Sequence, residues 1–221
     1  MKIAVISQPR TGSSKLVMVL SSIYQVTNLS EVLTSADTPD QKINKIEDLK
    51  SKNDYAVKFH KRHLSGIDIN SVPWTNFDII ISIYRKSLVD AFVSTHIAMK
   101  RNVWERWSSD PCDVEEVTID PMLIRPWYDR TYSTYGSMLR QIQEISGKKI
   151  FEFEYDEIGD DLKLLQKFKE YDFPVWDLGL DAATIPTGIN YKEKCLNYRE
   201  IESKFKELDL KYISLKDLNT I

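Results

Sequence analysis

The chain has 221 residues, of which 42% are hydrophobic and 29% charged, a composition typical of a single globular domain over residues 1–221. Its net charge of −3 gives no general attraction for nucleic acid or anionic lipid, so we expect no nucleic-acid partner. Two cysteines are too few for a disulfide framework, and no apolar run approaches the roughly 20 residues of a membrane span. We therefore expect a soluble cytoplasmic protein without a membrane span.

Strands and helices are predicted to alternate along the chain. Apolar runs rich in β-branched residues predict buried strands at Lys2–Ser7, Tyr55–His60, Phe77–Tyr84 and Ile150–Tyr155. Helical spacing of apolar residues predicts helices from Thr11 to Ile23 and over Ser87–Trp104, Asp120–Ser146, Asp160–Tyr171 and Asn197–Leu208. Pro126 is expected to start or kink the helix over Asp120–Ser146, which should end at Gly147. Residues 32–54 and 100–127 are expected to be loops that decide substrate specificity. The alternation predicts an α/β domain around a mainly parallel sheet.

The first predicted strand runs directly into the segment Gln8-Pro-Arg-Thr-Gly-Ser-Ser-Lys15. Helix N-termini at the carboxyl ends of parallel strands attract anions, and this segment adds hydroxyl donors and two cations, Arg10 and Lys15. Gly12 permits a close backbone approach, so the segment suits a phosphate group. It is not a Walker A loop, because the first glycine is missing and Lys15 follows a serine, which disfavours an ordinary nucleoside triphosphatase. A solvated strand-to-helix turn is the alternative.

This loop resembles the signature of sulfotransferases that use 3′-phosphoadenosine 5′-phosphosulfate (PAPS). Their pattern P-[KR]-[ST]-G-[ST]-[ST] is matched at every position by Pro9–Ser14. The resemblance implies a three-layer, P-loop NTPase-like sandwich that moves a sulfuryl group to a hydroxyl of a small-molecule, carbohydrate or lipid acceptor. The product is adenosine 3′,5′-bisphosphate (PAP), and no metal is needed. It also implies that the donor is bound by Arg10, Thr11, Gly12, Ser13, Ser14 and Lys15, with Arg10 at the oxygen that bridges phosphate and sulfate.

A second segment resembles the motif that grips the 3′-phosphate in this family, an arginine after a central strand and a serine on the next helix. Arg85 and Ser94 match it. Arg85 lies nine residues before Ser94 where the family has eight, so Lys86 is the alternative to Arg85. Ala91–Ser94, followed by Trp104, looks most like the bacterial trehalose-type branch. A simple pair of charges at a helix start remains the other interpretation.

Two residues are candidates for the base that takes the acceptor proton. Glu31 lies where many bacterial members carry a catalytic glutamate, whereas His60, in the segment Val57-Lys58-Phe59-His60, resembles the strand end of the cytosolic branch. In both schemes Lys58 assists at the sulfate. An imidazole titrates near neutral pH and a carboxyl group would need its pKa raised by burial, so chemistry alone favours neither. The arginine form of the loop favours Glu31 by resemblance.

The distal part of the chain offers weaker signals. Phe151–Ile158 looks like a mainly structural segment of the family, and Tyr191–Arg199 is the one basic and aromatic stretch where the cytosolic branch closes over its nucleotide. Aromatic residues that would form either an acceptor lid or core are Trp104, Trp107, Trp127 and Tyr128. Two competing functions stay open: a P-loop-like small-molecule kinase and a non-catalytic nucleotide-binding module.

Overall fold

A computed structural model describes residues 1–34, 36, 38–101, 115–174, 191–212 and 215. Its strands are β1 (Lys2–Ser7), β2 (Thr27–Ser30), β3 (Tyr55–His60), β4 (Ile79–Tyr84) and β5 (Ile150–Glu154). They form a single five-stranded sheet in the order β2-β3-β1-β4-β5, and each pair of neighbours is parallel. The predicted fold class, an α/β sandwich around a parallel sheet, is therefore confirmed.

The helices alternate with these strands. In chain order they are α1 (Ser13–Ile23), α2 (Pro39–Ser51), α3 (Lys61–Leu64), α4 (Leu88–Arg101), α5 (Ile124–Thr131), α6 (Tyr135–Ser146), α7 (Tyr155–Gly159), α8 (Asp161–Glu170), α9 (Tyr191–Lys194) and α10 (Tyr198–Glu207). Short 3-10 turns lie at Ile69–Ser71, Trp74–Asn76 and Pro121–Leu123. Within the described ranges, no helix is long and apolar enough to cross a bilayer.

Helices cover both faces of the sheet and make the three layers. Along β1, Ala4 and Ile6 pack into a core shared with α2 and α6, whereas Ile3 and Val5 pack into a second core shared with α1 and α8. A strand that is buried on both faces carries apolar side chains on both, which explains the continuous apolar runs from which the strands were predicted. The arrangement brings the carboxyl ends of all five strands to one edge, where α1 and α4 begin.

Strand β2 and helix α2 were not predicted from the sequence. Edge strand β2 carries little apolar signal because most of its side chains are exposed. Helix α2 occupies much of the expected loop 32–54, so that expectation is wrong. It begins with a capping box in which the Thr38 side chain accepts from the Gln41 backbone and the Gln41 side chain accepts from the Thr38 backbone. Only Ile46 and Leu49 of α2 are buried, so its amphipathic pattern is faint.

The single helix predicted over Asp120–Ser146 is two helices, α5 and α6. The break at residues 132–134 follows hydroxyl side chains that bond to backbone carbonyls one turn earlier, Thr131 to Trp127 and Ser133 to Asp129. Such bonds compete with the regular helix ladder. The predicted end at Gly147 is confirmed, since that glycine adopts φ 65° and its N–H bonds to the Gln143 carbonyl.

Candidate functional site

The loop between β1 and α1 brings backbone N–H groups to the carboxyl edge of the sheet. Arg10 and Gly12 both have positive φ, 66° and 72°, and the Thr11 hydroxyl donates to the Gln8 carbonyl over 2.7 Å, which closes a tight turn. Helix α1 then begins at Ser13 with no acidic residue in its first turn. Its positive N-terminal end is not neutralised by its own side chains, so the loop suits an anion.

Gly12 is held in this turn for two physical reasons. Its φ of 72° strains any L side chain, and a Cβ there would lie 3.2 Å from Ile158 Cγ2. Gly147 has a similar φ of 65° but open space around it. We expect Gly12→Ala to lower the free energy of unfolding by about 1–2 kcal/mol, and by more than Gly147→Ala, in urea denaturation. An equal or smaller loss for Gly12→Ala would contradict the close packing of the loop on Ile158.

Arg85 follows the end of β4 and is buried, with 6% of its surface exposed. Its guanidinium carbon lies 4.3 Å from the centre of the Tyr155 ring and 5.1 Å from that of Tyr191. Its Nη1 atom is buried without a hydrogen-bond partner, and in the described part of the chain no carboxylate forms an ion pair with it. A buried cation without a counter-ion is unfavourable, so this position suits an anionic ligand.

Ser94 joins the loop to the surroundings of Arg85. The Arg10 Nε atom donates to Ser94 Oγ over 3.1 Å, and the Tyr191 hydroxyl donates to the same oxygen over 3.2 Å. The two sequence motifs therefore meet through a direct contact between Arg10 and Ser94. The Arg10 side chain is thus directed to Ser94, the residue expected at a 3′-phosphate.

Lys86 and Lys15, two other basic candidates, each form an ion pair with a carboxylate. The Lys86 side chain is 70% exposed and pairs with Glu154 at the end of β5. Arg85, in contrast to Lys86, contacts Tyr191, the residue that also donates to Ser94. The ammonium group of Lys15 lies 2.6 Å from Asp161 at the start of α8, which neutralises its charge and ties α1 to α8. The expected contact of Lys15 with a phosphate would require this ion pair to open.

The acid–base candidates form one cluster at the carboxyl ends of β2 and β3. Glu31 Oε1 lies 2.6 Å from Lys58 Nζ and 2.8 Å from His60 Nε2. Lys58 Nζ also donates to Ser14 Oγ over 2.7 Å, and His60 Nδ1 lies 3.0 Å from Ser7 Oγ. Lys58 thus contacts both the anion-binding loop and the carboxylate. Glu31 and His60, predicted as rivals, are hydrogen-bonded neighbours.

This environment fixes the charge of Glu31. Burial raises the pKa of its carboxyl group, but the hydrogen bond and charge of His60, together with those of Lys58, outweigh burial and hold the pKa well below the ordinary value. A second oxygen, Oε2, accepts from the Thr34 hydroxyl over 2.6 Å. Glu31 is therefore an ionised but weakly basic carboxylate while Lys58 and His60 both remain bonded to it.

His63 was not singled out as a site residue, although it lies next to this cluster. Its Nε2 atom is 3.8 Å from Glu31 Oε2, and its Nδ1 atom is buried without a partner. Its position three residues after His60, at the start of a helix, could have indicated from the sequence that it lies near the cluster. Within the described ranges, no three His, Cys, Asp or Glu side chains are grouped as a metal site would require.

Burial of His63 predicts a loss of stability in mild acid. Burial, followed by the charge of His60, lowers its pKa to about 4 from 6.5. The unfolded chain then binds the proton first, so stabilisation that is complete above pH 6.5 is lost as the pH falls towards 4. We expect the free energy of unfolding to drop over this range by about 1–2 kcal/mol more in the wild type than in His63→Asn, after allowance for screening. Equal pH slopes for the two proteins would contradict the assignment.

The aromatic residues divide between site and core. Tyr191, from the stretch Tyr191–Arg199 that the sequence analysis singled out, and Tyr155 both lie against Arg85. These contacts were not predicted because the two tyrosines lie far from Arg85 along the chain. Trp127 is buried against Phe92 and Phe205, so it is core and not a substrate platform. Tyr128 is half-buried against the same core and its hydroxyl donates to the Lys211 carbonyl over 2.8 Å. The remaining two candidates, Trp104 and Trp107, lie outside the described residues.

Comparisons with known proteins show that the chain has distant structural similarity to a solved structure. A scan against protein-family models and a search of curated proteins both return no match. Among solved structures, mouse sulfotransferase SULT7A1 complexed with PAP is similar at 13% sequence identity and a TM-score of 0.44, over 94% of this chain and 82% of that chain. A similarity of this size is too weak to establish function.

Proposed function

We propose that the protein is a sulfotransferase that takes the sulfuryl group of PAPS, transfers it to an acceptor hydroxyl and releases PAP. The observation that carries this proposal is the contact between Arg10 and Ser94, which joins two separate positions suited to anions. One is the loop at the N-terminus of α1, and the other surrounds the guanidinium of Arg85, whose buried Nη1 atom has no hydrogen-bond partner. A nucleotide with anionic groups at both its 5′ and 3′ ends fits two such positions.

The donor would be held by different residues at its two ends. The loop backbone from Thr11 to Ser13 and the hydroxyl of Ser14 would bind the 5′-phosphosulfate, while Arg85 and Ser94 would bind the 3′-phosphate. The buried Nη1 of Arg85 supports this fit, because a phosphate oxygen would supply the acceptor that it lacks. In this assignment Arg10 lies between the two ends.

When bound, the donor would supply a sulfur atom activated by its anhydride link to phosphate. The acceptor oxygen would form a bond to sulfur as the bond from sulfur to the bridging oxygen breaks, and that electron pair would leave with PAP. Arg10 and Lys58 would stabilise the charge on the bridging and sulfuryl oxygens, as positioned cations do in phosphoryl transfer. Glu31 would accept the proton of the acceptor hydroxyl.

The contacts of Lys58 suggest how Glu31 becomes a better base. Its ammonium group contacts Ser14 on the loop and Glu31 on the opposite side, at 2.7 and 2.6 Å. If Lys58 turns towards an anionic group bound at Ser14, Glu31 loses one of the two partners that lower its pKa. The carboxylate would then be more basic when the loop is filled. His60, held between Glu31 and Ser7, would position the carboxylate, and it is also the alternative base.

The acceptor belongs to a broad class: a small molecule, carbohydrate or lipid with a hydroxyl group. A small-molecule kinase fits less well, because the loop lacks the Walker A ending and Lys15, the lysine nearest that position, is paired with Asp161. A non-catalytic nucleotide-binding module would keep the two anion positions but would not need Glu31.

A transfer assay tests the proposal. The purified protein would be incubated with PAPS labelled with ³⁵S and a panel of sugars, phenols, aliphatic alcohols and tyrosyl peptides, while PAP and labelled products are measured. We expect PAP and one class of labelled product to form together in the wild type and not in Glu31→Gln. If the wild type binds PAP yet yields no product with any acceptor, and releases PAP no faster than Glu31→Gln, the protein is a binding module and the proposal fails.

A further inference from the structure

We propose that Tyr191 is a positioning residue that makes the site selective for nucleotides carrying a 3′-phosphate, an inference that rests on the proposed function. Tyr191 touches both residues assigned to that phosphate. Its hydroxyl donates to Ser94 Oγ over 3.2 Å, and its ring centre lies 5.1 Å from the guanidinium carbon of Arg85. It comes from the C-terminal part of the chain, almost 100 residues after Ser94.

The hydrogen bonds of Ser94 explain why this contact matters. A serine hydroxyl has two acceptor lone pairs and one proton to donate. Tyr191 and Arg10 each donate to the oxygen, so both lone pairs are occupied. Among the described residues, no acceptor takes the Ser94 proton. The hydroxyl is therefore oriented as a donor, which is what an oxygen of a phosphate dianion requires.

The ring of Tyr191 also restrains the guanidinium group of Arg85. The guanidinium group has the Tyr191 ring at 5.1 Å and the Tyr155 ring at 4.3 Å. Aromatic rings attract a guanidinium group and limit its movement without neutralising its charge, in contrast to a carboxylate. Arg85 therefore keeps its full charge for an anion while its position is restrained.

The backbone around Tyr191 is anchored by the rest of the fold. The Val117 N–H bonds to the Lys194 carbonyl over 2.8 Å, and the Leu196 N–H bonds to the Val117 carbonyl over 2.9 Å. Cys195, buried between these two bonds, donates its own N–H to the Tyr191 carbonyl over 3.0 Å. These contacts hold α9 to the Val117 segment by backbone bonds that need no ligand, so the position of Tyr191 is set by the fold.

The test compares PAP with adenosine 5′-monophosphate, which lacks the 3′-phosphate, by calorimetric titration. The dissociation constant of adenosine 5′-monophosphate divided by that of PAP measures selectivity for the 3′-phosphate. A general loss of binding affects both constants and leaves this ratio unchanged. Loss of one neutral hydrogen bond is expected to lower this ratio about fivefold in Tyr191→Phe, which keeps the ring. Tyr191→Ala, which also removes the ring, should lower the ratio further.

Tyr198→Phe is the matched control. The Tyr198 hydroxyl also bonds from the C-terminal part to helix α4, but to the Asp90 carboxylate over 2.7 Å, so this variant loses a tyrosine hydrogen bond that involves neither Arg85 nor Ser94. Its ratio should equal that of the wild type. If the wild type prefers PAP and Tyr191→Phe retains the full ratio, the inference is overturned and the proposed function stands. If the wild type does not prefer PAP, the proposed function itself fails.

Discussion

Replacing Arg85 by glutamine is expected to reduce the affinity for PAP by about 10- to 100-fold. Arg85 is buried and its Nη1 has no partner, so the proposed 3′-phosphate would form charge-assisted hydrogen bonds with it, each contributing about 1.5–3 kcal/mol. Affinity for adenosine 5′-monophosphate should change little. Calorimetric titration of both nucleotides measures the effect, because only PAP carries the group that Arg85 is assigned to bind.

Lys86→Gln is the control for this prediction. Lys86 follows Arg85 directly but is exposed and paired with Glu154, so its removal should leave the affinity for PAP within about twofold. The folded protein should tolerate Arg85→Gln, since the change removes a buried charge that no carboxylate of the described residues pairs with. Thermal unfolding without nucleotide checks this point. Loss of PAP binding in Lys86→Gln, with Arg85→Gln unaffected, would transfer the role to Lys86.

Glu31→Gln is expected to lower the rate of transfer by about 10²- to 10⁴-fold, the usual contribution of a general base. The affinity for PAP should be retained or slightly improved, because neutralising Glu31 leaves the charge of Lys58 available to an anion at Ser14. Single-turnover transfer and PAP titration measure the two effects separately. Glu47→Gln, which removes an exposed carboxylate of α2, serves as the control and should change neither.

His60→Gln distinguishes the two candidate bases. His60 bonds to the same Glu31 oxygen as Lys58, so its loss should slow transfer about tenfold by disturbing that carboxylate. If instead His60→Gln abolishes transfer while Glu31→Gln retains it, the base is His60 and Glu31 orients it. A similar full loss in both variants would indicate that the pair acts as a unit.

The sheet could be predicted from sequence because burial leaves a strong local pattern. Strands β1 and β4 are apolar runs, and their parallel pairing follows from the helices between them. Strand β2 was missed because its residues Thr27–Ser30 are mostly exposed and only pairing with β3 defines it. Helix α2 did have a sequence signal, the run Thr38-Pro39-Asp40-Gln41, which combines a capping box with proline at the first helical position.

The site could be predicted in part for a related reason. Residues at the carboxyl ends of neighbouring strands must lie near one another, so the proximity of Lys58 and the loop followed from topology alone. The contact of Tyr191 with Ser94 did not, because it joins segments far apart in sequence and depends on the docking of α9. The pairing of Lys86 with Glu154 depended on the β4–β5 register, which places Glu154 opposite Tyr84 and within reach of Lys86.

Titration of the purified protein with PAP, and in parallel with ATP and Mg²⁺, tests the central claim most directly. Two joined anion positions, one at the loop before α1 and one at Arg85, predict tight binding of PAP and no heat from ATP with Mg²⁺. Binding of ATP with Mg²⁺ in the absence of PAP binding would contradict the sulfotransferase assignment and favour a kinase.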